Sequence, residues 1–319
     1  MRILSLVVDS GLCGQPTRAV ALSLCIVALS VMGASCAHGL TTEDRARARG
    51  HYEAAVALVH EGQKAAELGD GPGRDEKYRE ALRELLDGKK LDDQDPDLHF
   101  LLGQVYFLGF RRHGDALTHL ALAIDLKAAR APADASDPER EFPEAEQALG
   151  VVLVDAKRVE EALPHFERAR TNLLYQTPYF AEQELGWALF LLGRHDQALQ
   201  HLQVALQAQP DLCGAYVKVA DVEEARGNEA GVQKALSDFV GRCDTERLRA
   251  SVGSALLAPA WYKLGQSRLR SGARDGAIEA FRTCRERFEG LPAGRECDKS
   301  LQALGDASSV GVDSVSSGG

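Results

Sequence analysis

From residue 96 to residue 291 the chain repeats itself at intervals close to 34 residues, and this self-similarity constrains the fold more than any other feature. Residues 258–291 carry Trp261, Leu264, Gly265, Gly272, Ala277 and Phe281 in register. Residues 179–212 carry Leu185, Gly186, Leu189, Gly193, Ala198, Leu202, Ala205 and Pro210. Residues 143–176 carry Leu149, Gly150, Leu153, Ala162, Phe166 and Ala169, and residues 96–130 carry Leu102, Gly103, Tyr106, Ala116, Leu120 and Ala123. Residues 213–246 keep the length with Tyr216, Ala220 and Gly227, and residues 46–92 read as a first copy with a lengthened turn at 69–75. Small residues at the crossing points let two helices approach, and the large apolar ones fill the space between copies. No single unit of this size buries its apolar face alone, so stacking must make the core continuous. The chain is 45% hydrophobic but only 6% aromatic, a mix that favours helix over a β-sandwich.

The pattern resembles the tetratricopeptide repeat, W-x₂-L-G-x₂-Y…A-x₃-F…P. That resemblance implies an all-α, right-handed superhelical solenoid of about six helix pairs with a capping helix at 292–304. The solenoid is expected over residues 45–304. Leu102 and Leu149 are 47 residues apart, which places a loop rich in Ala, Pro and Asp at 131–141. Leu185 and Leu264 are 79 apart, which leaves room for a short helical insert at 246–256. The Ser- and Gly-rich segment 305–319 reads as a disordered tail.

The N-terminus reads as an export signal over residues 1–35. Arg18 precedes an apolar run at 19–32, then Gly33, Ala34, Ser35 and Cys36. The run is short for a membrane span. The ending resembles a bacterial lipobox, although Gly33 stands where such motifs usually carry Leu. The resemblance implies lipidation of Cys36, a tether at 36–44 and, with Ala37 next, the periplasmic face of the outer membrane. The alternative is an ordinary secretory peptide with Cys36 incidental. Removal of Arg2, Asp9 and Arg18 changes the formal charge from -10 to -11, and an acidic body argues against nucleic acid as a partner.

Four further cysteines remain, an even number for an oxidising compartment. Cys213 opens the first helix of its repeat and Cys243 closes the second, so antiparallel packing brings them together. Cys284 lies late in the last repeat and Cys297 early in the cap, and the same argument pairs them. Four buried free thiols are the alternative. The spacings are unlike the short C-x₂-C of a metal site, and no metal or cofactor is expected. The nine histidines form no HExxH and no pair at ligand spacing. Gly69, Gly71 and Gly73 are interrupted by Pro72 and follow a helix, so they make a turn and no dinucleotide site. Neither a nucleophile elbow nor a phosphate loop occurs. The expectation is a binding protein and no enzyme, with no small-molecule substrate.

Tetratricopeptide arrays line a concave groove with recurrent positions of each first helix. Here those positions hold Phe100, Gln104, Phe107, Gln147, Val151, Phe180, Gln183, Trp187, Phe190, Tyr262 and Gln266. Trp187 lies off the repeat packing positions and is expected at the groove's centre. The run 156–169, then Asn172, Tyr175, Thr177 and Pro178 leading to Leu185, Gly186 and Trp187, resembles the type IV pilus biogenesis and stability lipoproteins of the PilF/PilW/Tgl type. A final Phe288 to Pro292 segment also fits. That resemblance implies a pilotin, an outer-membrane lipoprotein that binds secretin subunits and promotes their assembly for pilus biogenesis. A repeat scaffold serving another envelope assembly or uptake complex is the competing reading. A periplasmic hydrolase with a repeat region would need a catalytic dyad that no motif reveals.

Overall fold

The computed structural model describes residues 40–305. The export signal, Cys36 and all of the C-terminal tail beyond Gly305 lie outside the described residues. Among the described residues there are fifteen helices and no strand. Six antiparallel pairs stack in chain order: α1 (Thr42–Glu67) with α2 (Gly71–Leu91), α3 (Pro96–Phe110) with α4 (His113–Arg130), α6 (Pro143–Asp155) with α7 (Val159–Thr171), α8 (Pro178–Leu191) with α9 (His195–Ala208), α10 (Cys213–Ala225) with α11 (Glu229–Cys243), and α13 (Ser254–Arg270) with α14 (Arg274–Arg287). The four-residue α5 (Asp137–Arg140) lies in the connection before α6, and the short α12 (Glu246–Val252) in the one before α13. Helix α15 (Pro292–Ala303) covers the far end, against α14 and α13.

The boundaries follow local chemistry. Helices α2, α3, α5, α6, α8 and α15 each carry Pro in the first turn, where its missing N–H costs nothing. Asp95 caps α3 by accepting the Asp97 N–H at 2.9 Å, and Asp70 caps α2 through the Gly73 N–H at 2.9 Å. The α1–α2 turn is no longer than the rest, because α2 already starts at Gly71, within the longer turn expected over 69–75. The tight turn inside each of the six pairs has one left-handed residue. Gly69, Gly193, Gly227 and Gly272 supply it with φ of 75°, 73°, 70° and 81°. In the α3–α4 and α6–α7 turns Arg111 (φ 54°) and Lys157 (φ 65°) hold the same conformation without glycine's freedom.

Each Leu-Gly pair sits where its helix touches its partner most closely. A Cβ built on Gly150 would lie 2.5 Å from the Phe166 ring, and one on Gly265 would lie 2.5 Å from that of Phe281. Gly103 and Gly186 meet Leu120 and Leu202 in the same way. The facing side chains Leu120, Phe166, Leu202 and Phe281 are fully or almost fully buried, and they form the spine of the stack. The all-helical repeat solenoid read from the sequence is therefore the fold observed.

A polar seam accompanies this spine. Glu146, 4% exposed, receives His165 Nδ1 at 2.6 Å and Arg168 Nε at 2.7 Å. One repeat on, Glu182, 8% exposed, receives His201 Nδ1 at 2.7 Å and Arg170 at 3.2 Å. Burial raises each carboxyl pKa, but hydrogen bonds from the histidine and the charge of the arginine outweigh it and hold both carboxylates below their usual range. In the preceding repeat the equivalent pair is His99 and His119, with Nδ1 to Nδ1 at 2.8 Å.

Candidate protein-binding groove

The inner faces of three first helices converge on one cavity of about 340 Å³. Helix α3 contributes Phe100, Gln104, Phe107 and Leu108, at the i, i+4, i+7 and i+8 spacing of a single face. Helix α6 contributes Glu144, Gln147, Ala148 and Val151, and α8 adds Phe180. The connection between α7 and α8 closes one side with Tyr175 and Thr177. Six residues expected to line a groove, Phe100, Gln104, Phe107, Gln147, Val151 and Phe180, thus share one space.

The walls differ in accessibility. Phe107 and Tyr175 are buried at 9% and 6%, whereas Leu108 and Phe180 remain 40% and 39% exposed. Phe100 packs against Phe142 with ring centroids 5.1 Å apart, which fixes its ring at the back of the cavity. The Tyr175 hydroxyl donates to Gln147 Oε1 and anchors the linker to α6. Burial raises the Tyr175 pKa, so its proton stays in place to make that bond. Asn172 holds the start of the same linker. Its amide donates to Glu141 Oε2 at 2.6 Å and to the Pro138 carbonyl at 3.0 Å, while its Oδ1 accepts the Leu174 N–H at 2.8 Å. Asn172, Tyr175 and Pro178 together set where Phe180 enters the groove. The same linker presents Leu173 (88% exposed) and Leu174 (54% exposed) to solvent.

The other expected groove residues lie elsewhere. Trp187 is half-buried and does not line the cavity. Its ring packs on Phe190 at 5.0 Å, and Lys218 Nζ stands 5.7 Å from its centroid, held there by Glu184 at 2.7 Å. Gln183 is turned into the interface, 8% exposed, with its Nε2 donating to Glu184. Tyr262 packs toward Phe281, with centroids 6.0 Å apart, in the core cluster under the C-terminal cap. Gln266 is half-buried on the same helix, α13. The apolar wall is therefore centred on α3, α6 and α8, with its focus at Phe107 and Phe180.

Tyr175, Thr177, Glu144 and Leu108 are groove residues that the repeat positions do not single out. Glu144 alone among the lining residues is charged. The signal for Tyr175 was present in the Asn-x-x-Tyr-x-Thr-Pro linker, but its contact with Gln147 depends on how the linker folds back. The buried Glu146 and Glu182 left a signal too, since each precedes its histidine by 19 residues.

Among the described residues the four cysteines are joined in two pairs, Cys213 with Cys243 (Cα–Cα 5.8 Å) and Cys284 with Cys297 (6.1 Å). Next to Cys243, the buried carboxylate of Asp244 accepts hydrogen bonds from Arg249 Nε at 2.7 Å, from Trp261 Nε1 at 2.7 Å and from Arg287. That hub ties α12, α13 and α14 to the end of α11. Among the described residues no group of three or more His, Cys, Asp or Glu side chains is placed to hold a metal ion.

Stacked antiparallel pairs with Leu-Gly crossings and a concave apolar wall define a tetratricopeptide-repeat scaffold, and residues 181–211 and 259–290 match the model of the tetratricopeptide repeat family. Within that class, the crystal structure of PilW, a widely conserved type IV pilus biogenesis factor, is similar to this chain with a TM-score of 0.58 at 17% identity, over 76% of this chain and 97% of PilW. PilF of Pseudomonas aeruginosa is similar with a TM-score of 0.55 at 16% identity, over 79% of this chain and 99% of PilF. A chain of the APC/C hetero-tetramer Cut9–Hcn1 gives 0.52 at 14% identity, over 79% of this chain but 46% of its own length. At these identities the likeness is one of fold. No curated protein matches the chain.

Proposed function

We propose that this chain is a non-catalytic, lipid-anchored envelope protein that holds a segment of a type IV pilus secretin in the α3–α6–α8 groove and promotes secretin assembly at the outer membrane. The observation that carries the reading is the groove itself, with four apolar side chains of graded exposure (Phe100, Phe107, Val151 and Phe180) around two amides on a rigid wall. Such a surface suits an extended or helical peptide, whose apolar side chains fill the cavity while the amides take backbone groups. Its volume of about 340 Å³ admits a few side chains and no folded domain. Fold likeness to PilW supports the pilus assignment, and the Cys36 lipobox supports the anchor.

The test is genetic and biochemical. In a deletion strain the secretin should remain monomeric and surface pili should be lost. SDS-resistant secretin multimers persisting in that strain would sink the pilotin reading. A Phe107→Ala, Phe180→Ala double variant should weaken capture of the secretin from envelope extract by about tenfold or more, because aromatic anchors dominate such interfaces. Unchanged capture would move the binding site away from this groove.

A further inference from the structure

Helix α2 carries a second surface, which the groove does not use. From Arg79 onward its outward face reads Arg79, Leu82, Arg83, Leu86 and Lys90, the i, i+3, i+4, i+7 and i+11 positions of one helical face, with Lys89 at its edge. Together with Phe110 at the end of α3 these residues border two adjoining open depressions of about 650 Å³ each, which share Leu86. Leu86 is 37% exposed, and Leu82 and Phe110 are half-buried. The result is an apolar floor with a basic rim.

The charges of this rim are poorly compensated. Among the described residues Arg79, Arg83 and Lys89 form no ion pair, and Lys90 meets only Asp87, at 2.6 Å. Glu76 and Asp93 border the face at its two ends. Arg79 and Arg83 stand four residues apart, where like charges repel along a helix. An acidic chain that leaves three cations around the exposed Leu86 and the half-buried Leu82 on one face presents the chemistry of an anionic, partly apolar partner surface.

The position of the face selects among such surfaces. A Cβ on Gly88 would lie 3.2 Å from the His51 Cβ and 3.4 Å from the Ala48 carbonyl, so the basic end of α2 lies beside the first turns of α1. Cys36 precedes the start of α1 by six residues, a contour of at most about 20 Å. A lipid at Cys36 would therefore keep this face within reach of the bilayer. We propose that the Arg79–Lys90 face of α2 docks on an anionic phospholipid surface beside the lipid anchor, setting the tilt at which the solenoid leaves the membrane. This rests on the lipid-anchored part of the proposed function, but its electrostatic half is testable without the lipid.

The experiment uses the chain from residue 36 with Cys36→Ser, which keeps every described residue and removes the acylation site. It is sedimented with vesicles of phosphatidylglycerol and phosphatidylethanolamine, or of phosphatidylcholine alone. Partition onto the anionic vesicles is expected at low ionic strength, with loss at high salt. Each basic residue near such a surface contributes about 1 kcal/mol, so Arg79→Glu with Arg83→Glu should lower partition at least about tenfold. Both side chains are exposed and unpaired, so the thermal melt should not change; Leu86→Ser supplies a second variant that should also weaken binding. Equal binding to both vesicle types, or partition indifferent to the charge reversal, overturns the proposal. If vesicles are ignored while an envelope protein is captured and then lost on charge reversal, the face is a protein-docking site and the lipid reading is overturned as well. Failure of the anchor itself would be read separately, as Cys36→Ser protein that stays on cell membranes at high salt, an outcome that leaves these vesicle results unchanged.

Discussion

The His99–His119 pair shows how one residue couples the fold to pH. His99 Nε2–H donates to the Asp93 carbonyl at 2.8 Å, which leaves its Nδ1 to accept from His119 Nδ1–H. The geometry needs both imidazoles neutral. Burial, reinforced by the neighbouring His99 and Lys89, pushes the His119 pKa from 6.5 down to about 4; burial also lowers that of His99. Asp115 opposes the shift from the His119 side, and Asp93 and Asp95 from the His99 side. Between those two values the unfolded chain binds more protons than the folded one. Stability is therefore full above pH 6.5 and declines as pH falls toward 4. Because His119 is only partly buried, about 1 kcal/mol is expected between pH 7 and 5. Urea midpoints at pH 7, 6 and 5 should fall in that order, and His119→Gln should flatten the trend; a wild-type midpoint constant over this range rules the coupling out. Lys157 offers a prediction of the opposite sign. It holds φ 65° in a turn where four other repeats use glycine. Lys157→Gly should raise stability by about 1 kcal/mol, read as a higher urea midpoint.

Within the elements, the repeat signature is a record of helix-to-helix distance. Leu149, Gly150 and Phe166 were legible in the sequence because a helix pair can close only where a glycine faces a large apolar side chain. Gly150→Ala places a methyl 2.5 Å from the Phe166 ring, which is fully buried and cannot swing away. The pair must separate, at a cost of about 1–3 kcal/mol. A loss within that range in a chemical melt is expected, and a neutral result would mean that α6 and α7 are not held at the distance described. Gly214→Ala is the contrasting control, since its nearest neighbour is the Gln183 amide oxygen at 3.4 Å, an ordinary contact. What the sequence left hidden has a common cause. Gln183 and Trp187 occupy positions read as groove-facing, yet Gln183 is drawn into the α8–α10 interface and Trp187 packs on Phe190 beside Lys218. Position in a repeat fixes the direction of a side chain from its own helix, but the next helix decides whether that direction is open. Likewise Tyr175 joins the groove only because Asn172 folds the linker back over α6.

At the scale of the molecule, stability is distributed along the stack. Each pair touches mainly its neighbours, so a local loss should stay local. The apolar core reflects this, with one cluster running from α1 to α10, a second from α10 to α14 and a third beneath the C-terminal cap. The two disulfides lie in the second and third of these. Cys213–Cys243 closes a separation of 30 residues, and Cys284–Cys297 one of 13. Chain-entropy arguments assign each about 3–4 kcal/mol. The cap α15 leans mainly on α14 and α13, with Cys297 and Leu301 buried beneath it. Replacing Cys284 and Cys297 by Ala should therefore raise the opening of α15 first. Hydrogen exchange should show its amides losing protection by about a hundredfold or more, with α3, α6 and α8 unchanged. If the groove helices lost protection in parallel, the array would be unfolding as one cooperative unit, and the cap would be setting the stability of the distant binding wall.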